Sequence, residues 1–268
     1  MPAGLAGRTF GSRKPEEDIA MISRRAFFST VPIGVAAAAK VAEAAAAVPV
    51  DVALVLLTDV SYSVIDPEFA IERHGYAAAI QSAAVLGAIR GGMVGAIAVT
   101  YLEFSGSVQI ATVLGWQIIH DQASAKKFAD DIMSQPRSSY GRTAIGSGID
   151  AAVGELAESG FAATRHVIDV CGDGTCIGGS PLDRSRAEAI KSGVTINGLV
   201  MIHENPPPWL VPHVDPPGGI VKWYRDNVIG GPGCFGMQVK FNDDFVAAMT
   251  RKLEAEIAGR TVRLSRWS

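Results

Sequence analysis

The chain has 268 residues, enough for one large domain or two small ones. Hydrophobic residues make up 48% of it and charged residues 19%, which is typical of a soluble globular protein with a sizeable core. The net charge is −3 at pH 7, and the sequence shows no basic stripe of the kind that binds nucleic acid. We therefore do not expect nucleic acid as a partner.

The first 47 residues have the layout of an export signal. The residues before Met21 are polar and irregular, and Met21 is a candidate for the true start. The segment "SRRAFF" (23–28) resembles the twin-arginine export motif. The apolar stretch from Ala26 to Ala39 has 14 residues, which is too short to span a bilayer. Cleavage after Ala45 or Ala47 would release a periplasmic or secreted chain without a stable membrane span. A general secretory signal that carries paired arginines is the alternative.

Strands and helices alternate along the mature chain. Apolar runs predict six strands at about 50–58, 95–104, 108–116, 165–171, 194–201 and 234–239. Capping signals and amphipathic patterns predict helices at about 66–89, 121–133, 144–158, 181–191 and 243–259. This alternation predicts an α/β fold with a doubly wound, mostly parallel, Rossmann-like sheet of about six strands flanked by helices. The domain is expected to cover 48–259, with a basic tail at 260–268 and the third strand at an edge of the sheet.

A proline-rich segment at 203–219 interrupts the alternation. Its density of proline predicts a stiff, extended connection or a surface that contacts a partner. The segment also offers two histidines and two acids that could bind a second metal ion, although nothing fixes their spacing: His203, Glu204, His213 and Asp215.

Oxygen-bearing side chains lie at the ends of two predicted strands and at the start of a predicted helix. Asp59, Ser61 and Ser63 lie where the first strand ends, in "LLTDVSYSV". Thr143 precedes a helix in "YGRTAIG", and Asp173 follows the fourth strand in "GDGT". Because functional sites of doubly wound sheets lie beyond the carboxyl ends of the strands, we expect all five side chains to meet at one edge.

Two carboxylates and three hydroxyls form an all-oxygen set of ligands. Hard divalent cations prefer such ligands, and a site with few formal charges that keeps waters suits Mg²⁺. No histidine and cysteine cluster with zinc spacing accompanies the set. The alternative is that these residues only cap helices and turns, as Ser, Thr and Asp commonly do.

The pattern resembles the von Willebrand factor A (vWA) family, whose metal-ion-dependent adhesion site (MIDAS) combines Asp-x-Ser-x-Ser after the first strand, a Thr before a helix and an Asp-Gly after the fourth strand. Here those positions are Asp59, Ser61, Ser63, Thr143, Asp173 and Gly174. The resemblance covers about residues 50–258. The segments "DVSYSV", "GRTAIG", "VIDVCGDG" and "VIGGPG" further resemble a group of exported bacterial proteins of this type, whose domain is of unknown function.

The resemblance implies a Rossmann-like domain with one bound Mg²⁺ or Mn²⁺. In such a site Ser61, Ser63 and Thr143 coordinate the ion, while Asp59 and Asp173 act directly or through water. An acidic side chain from a partner protein, here unknown, then fills the open coordination position. A cation that its own ligands only partly neutralise gains most from such a carboxylate.

Enzyme signatures are missing from the sequence. It contains neither a Gly-x-Ser-x-Gly elbow nor a Gly-x-x-x-x-Gly-Lys phosphate loop. Asp59 could imitate the nucleophile of a phosphotransferase, but Ser61 stands where such enzymes place a second aspartate. We therefore expect a non-catalytic, metal-dependent protein-binding domain. The alternatives are an exported metal-dependent hydrolase that uses the same cation and an assembly factor for a periplasmic partner enzyme.

Five further residues lead to smaller predictions. Asp169 lies inside an apolar strand, where we expect it to pair with a backbone or basic group rather than to support the metal loops. Glu103 is expected to be an exposed carboxylate at a strand end, with a position facing the site as the alternative. In an oxidising compartment Cys176 and Cys234 are the preferred disulfide pair, and Cys171 is expected to be buried; three free thiols are the alternative.

Overall fold

The computed structural model describes residues 47–241 and 243–259. Its strands are β1 (Val48–Asp59), β2 (Ile97–Phe104), β3 (Ile110–Ile119), β4 (Phe161–Gly172), β5 (Thr195–Ile202) and β6 (Gly236–Lys240). Its helices are α1 (Asp66–Ile80), α2 (Ala83–Arg90), α3 (Gln122–Ser134), α4 (Ile145–Glu158), α5 (Leu182–Lys191), α6 (Val211–Val214), α7 (Ile220–Asn227) and α8 (Phe245–Ala258). Apart from Ala47, the predicted leader lies outside the described residues, as does the basic tail.

The strands form one sheet in the order β3-β2-β1-β4-β5-β6. All neighbouring strands are parallel except β3, which pairs antiparallel with β2 at the edge. The predicted doubly wound, mostly parallel sheet and the edge position of the third strand are both confirmed. The strand order reverses at β1 and β4, where ligand sites of such sheets are found.

Helices cover both faces of the sheet. Alternate residues of β1 enter two separate cores: Leu54 and Leu56 pack with residues of α1, α2, α3 and α8, whereas Val55 and Leu57 pack with residues of α4, α5 and α7. None of these four side chains is more than 1% exposed. Burial on both faces explains why the strand is a continuous apolar run instead of an alternating one.

The predicted helix at 66–89 is two helices. Ser82 accepts a hydrogen bond from the backbone N–H of Val85 through its side chain, at 3.2 Å, and so begins α2 as its N-cap. At the start of α1, Asp66 is the first helical residue. The cap position belongs to Ile65, whose N–H donates to the Glu68 carboxylate at 3.1 Å.

The proline-rich segment is not wholly extended. It contains the short helix α6, and α7 begins directly after it. Pro212 lies near the start of α6, where its missing N–H removes no helical hydrogen bond. The prediction of an extended connection is therefore wrong for this part of the segment.

Two buried acids are paired with cations. Asp169 contacts the Lys252 ammonium group, and both side chains are inaccessible to solvent, which confirms the predicted basic partner. Glu103 is also fully buried, so the prediction of an exposed strand end is wrong. One of its oxygens accepts from Arg73 at 2.5 Å and the other from the Ser138 N–H at 2.8 Å, and these bonds offset the cost of burying its charge.

All three cysteines are free thiols. Cys171 is buried, as predicted. Cys176 and Cys234 are not bridged. Each packs at the edge of the core beneath α4, α5 and α7 as a small hydrophobic side chain, which is the alternative that the sequence left open.

Among the described residues, no helix is long and apolar enough to cross a membrane.

Candidate metal centre

The strand ends bring the predicted site together. Asp59 is the last residue of β1 and Asp173 follows the end of β4, and these strands are parallel neighbours. Thr143 lies two residues before α4. The guanidinium group of Arg137 fixes the backbone after β1, since it donates to the carbonyl oxygens of Val60 at 2.8 Å and Ser61 at 2.9 Å.

A continuous series of hydrogen bonds joins the five predicted residues. Asp59 Oδ1 accepts from the Ser61 N–H at 2.8 Å, and the Ser61 and Ser63 hydroxyls are 3.0 Å apart. Ser63 donates to Asp173 Oδ1 at 2.8 Å. Thr143 donates to the Ser61 hydroxyl at 3.0 Å. None of the five is more than 8% exposed, so the oxygen atoms lie in one sheltered cluster.

The cluster contains an oxygen that protein groups leave unsatisfied. Asp59 Oδ2 is buried and has no hydrogen-bond partner among the described residues. Burial, followed by the charge of Asp173, raises the pKa of Asp59 well above its ordinary value. A divalent cation would satisfy the free oxygen and offset the repulsion between the two carboxylates, so the residues present fit such an ion.

Hydroxyl groups are essential to this fit. In the part of the chain that the structure describes, no three His, Cys, Asp or Glu side chains are grouped so as to hold a metal ion. A metal at this edge therefore depends on Ser61, Ser63 and Thr143. Hydroxyl and carboxylate oxygens are the ligands of hard cations such as Mg²⁺ and Mn²⁺.

Two histidines of the proline-rich segment reach the cluster, a contact that the sequence analysis missed. His203 Nε2 lies 2.7 Å from Asp173 Oδ2, and its Nδ1 lies 3.8 Å from a Glu68 oxygen. Burial opposes protonation, but the hydrogen bond and the charge of Asp173 raise the pKa of His203. The His203 imidazole thus contacts one carboxylate oxygen of Asp173, while the Ser63 hydroxyl donates to the other.

His213 contacts the opposite end of the hydrogen-bonded series. Its Nε2 is 3.1 Å from the Thr143 hydroxyl and its Nδ1 is 3.1 Å from the Thr175 hydroxyl. Burial lowers the pKa of His213. The alternative of a second metal ion in this segment is wrong, because His203 and His213 contact different residues of the first site and Glu204 instead pairs with Lys240 at 2.8 Å.

An apolar rim surrounds the cluster. Tyr62 is 72% exposed and Trp209 is 76% exposed. Tyr62 stacks on Tyr140, with ring centroids 6.2 Å apart. Together with Leu210 and Ile177, Tyr62 and Trp209 line a cavity of about 240 Å³ whose floor includes the hydroxyls of the cluster.

Glu72 of α1 adds a buried acid in the core close to the site. It is inaccessible to solvent, and neither of its oxygens has a hydrogen-bond partner of normal geometry among the described residues. Burial raises its pKa well above the ordinary value, against the opposing effect of the Cys171 thiol, and the charges of nearby carboxylates add to the rise. Burial therefore favours the protonated form of Glu72 in the folded chain.

Comparisons with known proteins agree with this architecture. The fold is similar to that of proximal thread matrix protein 1 (PTMP1) from the mussel byssus, whose structure was solved with a zinc-occupied MIDAS motif. The two share 15% sequence identity, and the TM-score is 0.54 over 78% of this chain and 46% of PTMP1. The fold is also similar to that of the pilus adhesin SpaC from Lactobacillus rhamnosus GG, at 13% identity and a TM-score of 0.51 over 78% of this chain and 30% of that one. The chain thus spans less than half the length of either protein.

At these identities the likeness shows the fold, and it confirms the predicted vWA-like architecture. The comparison with curated proteins returned no match. The profile of a family described as "Protein of unknown function (DUF1194)" matches residues 49–261, nearly all of the expected mature chain. The chain therefore belongs to the DUF1194 family, and its domain has the vWA-like fold.

Proposed function

We propose that this chain is a non-catalytic, divalent-metal-dependent protein-binding domain that acts in the periplasm. The observation that carries the proposal is the hydrogen-bonded cluster of five oxygen-bearing side chains, one of which has the unsatisfied oxygen Asp59 Oδ2. The exported location rests on the leader sequence alone.

The site offers both neutral and charged ligands for a cation. Ser61, Ser63 and Thr143 would hold Mg²⁺ or Mn²⁺ as neutral ligands, and Asp59 and Asp173 would act directly or through water. When bound, the cation supplies a positive charge that attracts a carboxylate from outside the chain. Because three of the five protein ligands are neutral, only Asp59 and Asp173 offset that charge, and the offset is weaker where either carboxylate acts through water.

The rim favours a protein as the source of that carboxylate. Tyr62 and Trp209 expose large apolar surfaces around one cavity beside the cluster, and aromatic side chains are enriched at protein interfaces. A free small acid would leave these rings in water. We therefore expect an acidic side chain flanked by apolar residues on the partner. A periplasmic enzyme that the chain helps to assemble would meet this description.

Capture of the partner tests the proposal. The purified full chain is cross-linked to periplasmic extract of its native host in Mn²⁺ or in EDTA, and the captured proteins are identified by mass spectrometry. The partner should be lost in EDTA and with Asp59→Ala, and weakened by Trp209→Ser, whereas the exposed control His120→Ala should retain it.

Two results would contradict the proposal. A partner captured equally in EDTA and by Asp59→Ala would remove the metal from the interaction. Hydrolysis of phosphate or ester substrates that requires Mg²⁺ and is abolished by Asp59→Ala would instead support the exported hydrolase.

A further inference from the structure

Both ring nitrogens of His213 contact residues outside its own proline-rich segment. It lies in α6, the short helix of the proline-rich segment between β5 and α7. From there its ring reaches across to the strand-end loops, where Nε2 is 3.1 Å from Thr143 Oγ1. Thr143 is one of the five residues of the metal centre, so the imidazole borders the ligand set directly.

The loop after β4 is shaped to receive this ring. Thr175 contacts His213 twice: the Thr175 hydroxyl lies 3.1 Å from ring atom Nδ1, and the Thr175 N–H donates to the His213 backbone carbonyl at 3.0 Å. Gly174 leaves room for the ring, because a Cβ atom at this position would lie 2.0 Å from Nε2. The second ring nitrogen of a metal-binding histidine usually makes such an orienting hydrogen bond.

The spacing of the donor atoms suits a shared metal ion. Ligands at right angles around a cation with bonds of about 2.1 Å are about 3 Å apart. The Ser61–Ser63 and Ser61–Thr143 oxygen pairs are each separated by 3.0 Å, and Thr143 Oγ1 and His213 Nε2 by 3.1 Å. Nε2 therefore continues the series of donor atoms at the same interval.

We infer that His213 is an additional, in-chain ligand of the metal centre and that its nitrogen makes the site selective for Zn²⁺ over Mg²⁺. The inference rests on the metal site of the proposed function and extends its ligand set. Imidazole favours Zn²⁺ and related transition metals, whereas oxygen ligands alone favour Mg²⁺. The chain thus fills from its own proline-rich segment a position beside Thr143, and the partner's carboxylate must take a different position or displace the imidazole.

Electron spin echo envelope modulation of the full chain loaded with Mn²⁺ tests the inference directly, because it detects a nitrogen nucleus bound to the ion. We expect nitrogen modulation from one imidazole in the wild type and in His203→Ala. The modulation should disappear in His213→Ala and in His213→Gln, which retains a polar side chain. The distant, exposed His120→Ala is the control.

Competition between metals provides a second measurement. We expect His213→Ala to weaken Zn²⁺ binding by about 10–100-fold and Mg²⁺ binding by less than about threefold. Metal-free thermal unfolding of both His213 variants verifies that they fold. Mn²⁺ binding without nitrogen modulation, or modulation that survives in both variants, would overturn the inference and leave the proposed function intact. Failure of the wild-type chain to bind any of these metals would overturn both.

Discussion

Replacing Asp59 by asparagine should have opposite effects on stability with and without metal. The substitution keeps the size of the side chain and removes its charge. Asp59 is inaccessible to solvent, and its Oδ2 has no hydrogen-bond partner among the described residues. Because burial and the charge of Asp173 raise its pKa, the ionised form destabilises the metal-free fold. That cost falls away once a cation is bound.

The size of both effects follows from general magnitudes. A buried group without a partner costs about 1–3 kcal/mol, and more when it is charged. The asparagine amide still lies in the place of Oδ2 but carries no charge, so Asp59→Asn should raise the free energy of unfolding in EDTA by about 1–3 kcal/mol. For a domain of this size, 1 kcal/mol shifts the unfolding temperature by about 2–4 °C. Metal at 100 times its dissociation constant stabilises the wild type by about 2.7 kcal/mol, and the variant should lack most of that gain.

Thermal unfolding of the full chain followed by circular dichroism, in EDTA and in excess Mn²⁺, provides the assay. The variant should unfold at the higher temperature in EDTA, and the wild type should respond more strongly to Mn²⁺. Asp130→Asn, at an exposed position of α3, is the matched control and should behave as the wild type. A variant that is less stable than the wild type in EDTA, or that gains as much from Mn²⁺, would refute the reasoning.

Three further substitutions test other parts of the structure. Since the folded pKa of Glu72 lies above its ordinary value of 4.5, the folded chain retains a proton that the unfolded chain releases, and the free energy of unfolding falls as pH rises from about 4.5 towards the raised pKa. Glu72→Gln should remove this fall and stabilise the chain at pH 7, as urea unfolding at several pH values would reveal; an unchanged pH profile would contradict it. Lys252→Met should cost about 3–5 kcal/mol in urea unfolding, because Asp169 is left buried without its cation; a loss below 1 kcal/mol would count against that pairing. Gly174→Ala should displace the His213 ring and weaken Zn²⁺ more than Mg²⁺ in binding titrations, whereas an equal effect on both metals would speak against that packing.

The sheet could be predicted from the sequence because strands buried on both faces leave a simple signal. The continuous apolar runs of β1 and β4 are required by cores on both sides of the sheet. The break between α1 and α2 carries no glycine or proline, so only the capping contact of Ser82 marks it. The proline-rich segment obscured α6 in a similar way, since its prolines favour extended backbone in most contexts.

The site was predictable only in part. The five oxygen-bearing residues follow strand ends or precede a helix, so the topology alone brings them to one edge. His203 and His213 come from a segment whose path no local pattern determines. The sequence suggested that the two histidines share a second metal site, whereas in the structure they contact Asp173 and Thr143 respectively. The burial of Glu103 was equally hidden, because it depends on Arg73 from another element.

Isothermal titration of the full chain with Mn²⁺ tests the central claim most directly. The account predicts heat from a single site in the wild type and none with Asp59→Ala. Thr143→Val, which removes one hydroxyl at nearly constant volume, should also abolish or strongly weaken the binding. Absence of binding heat in the wild type, or equal heats in the wild type and both variants, would contradict the claim that these residues form a metal centre.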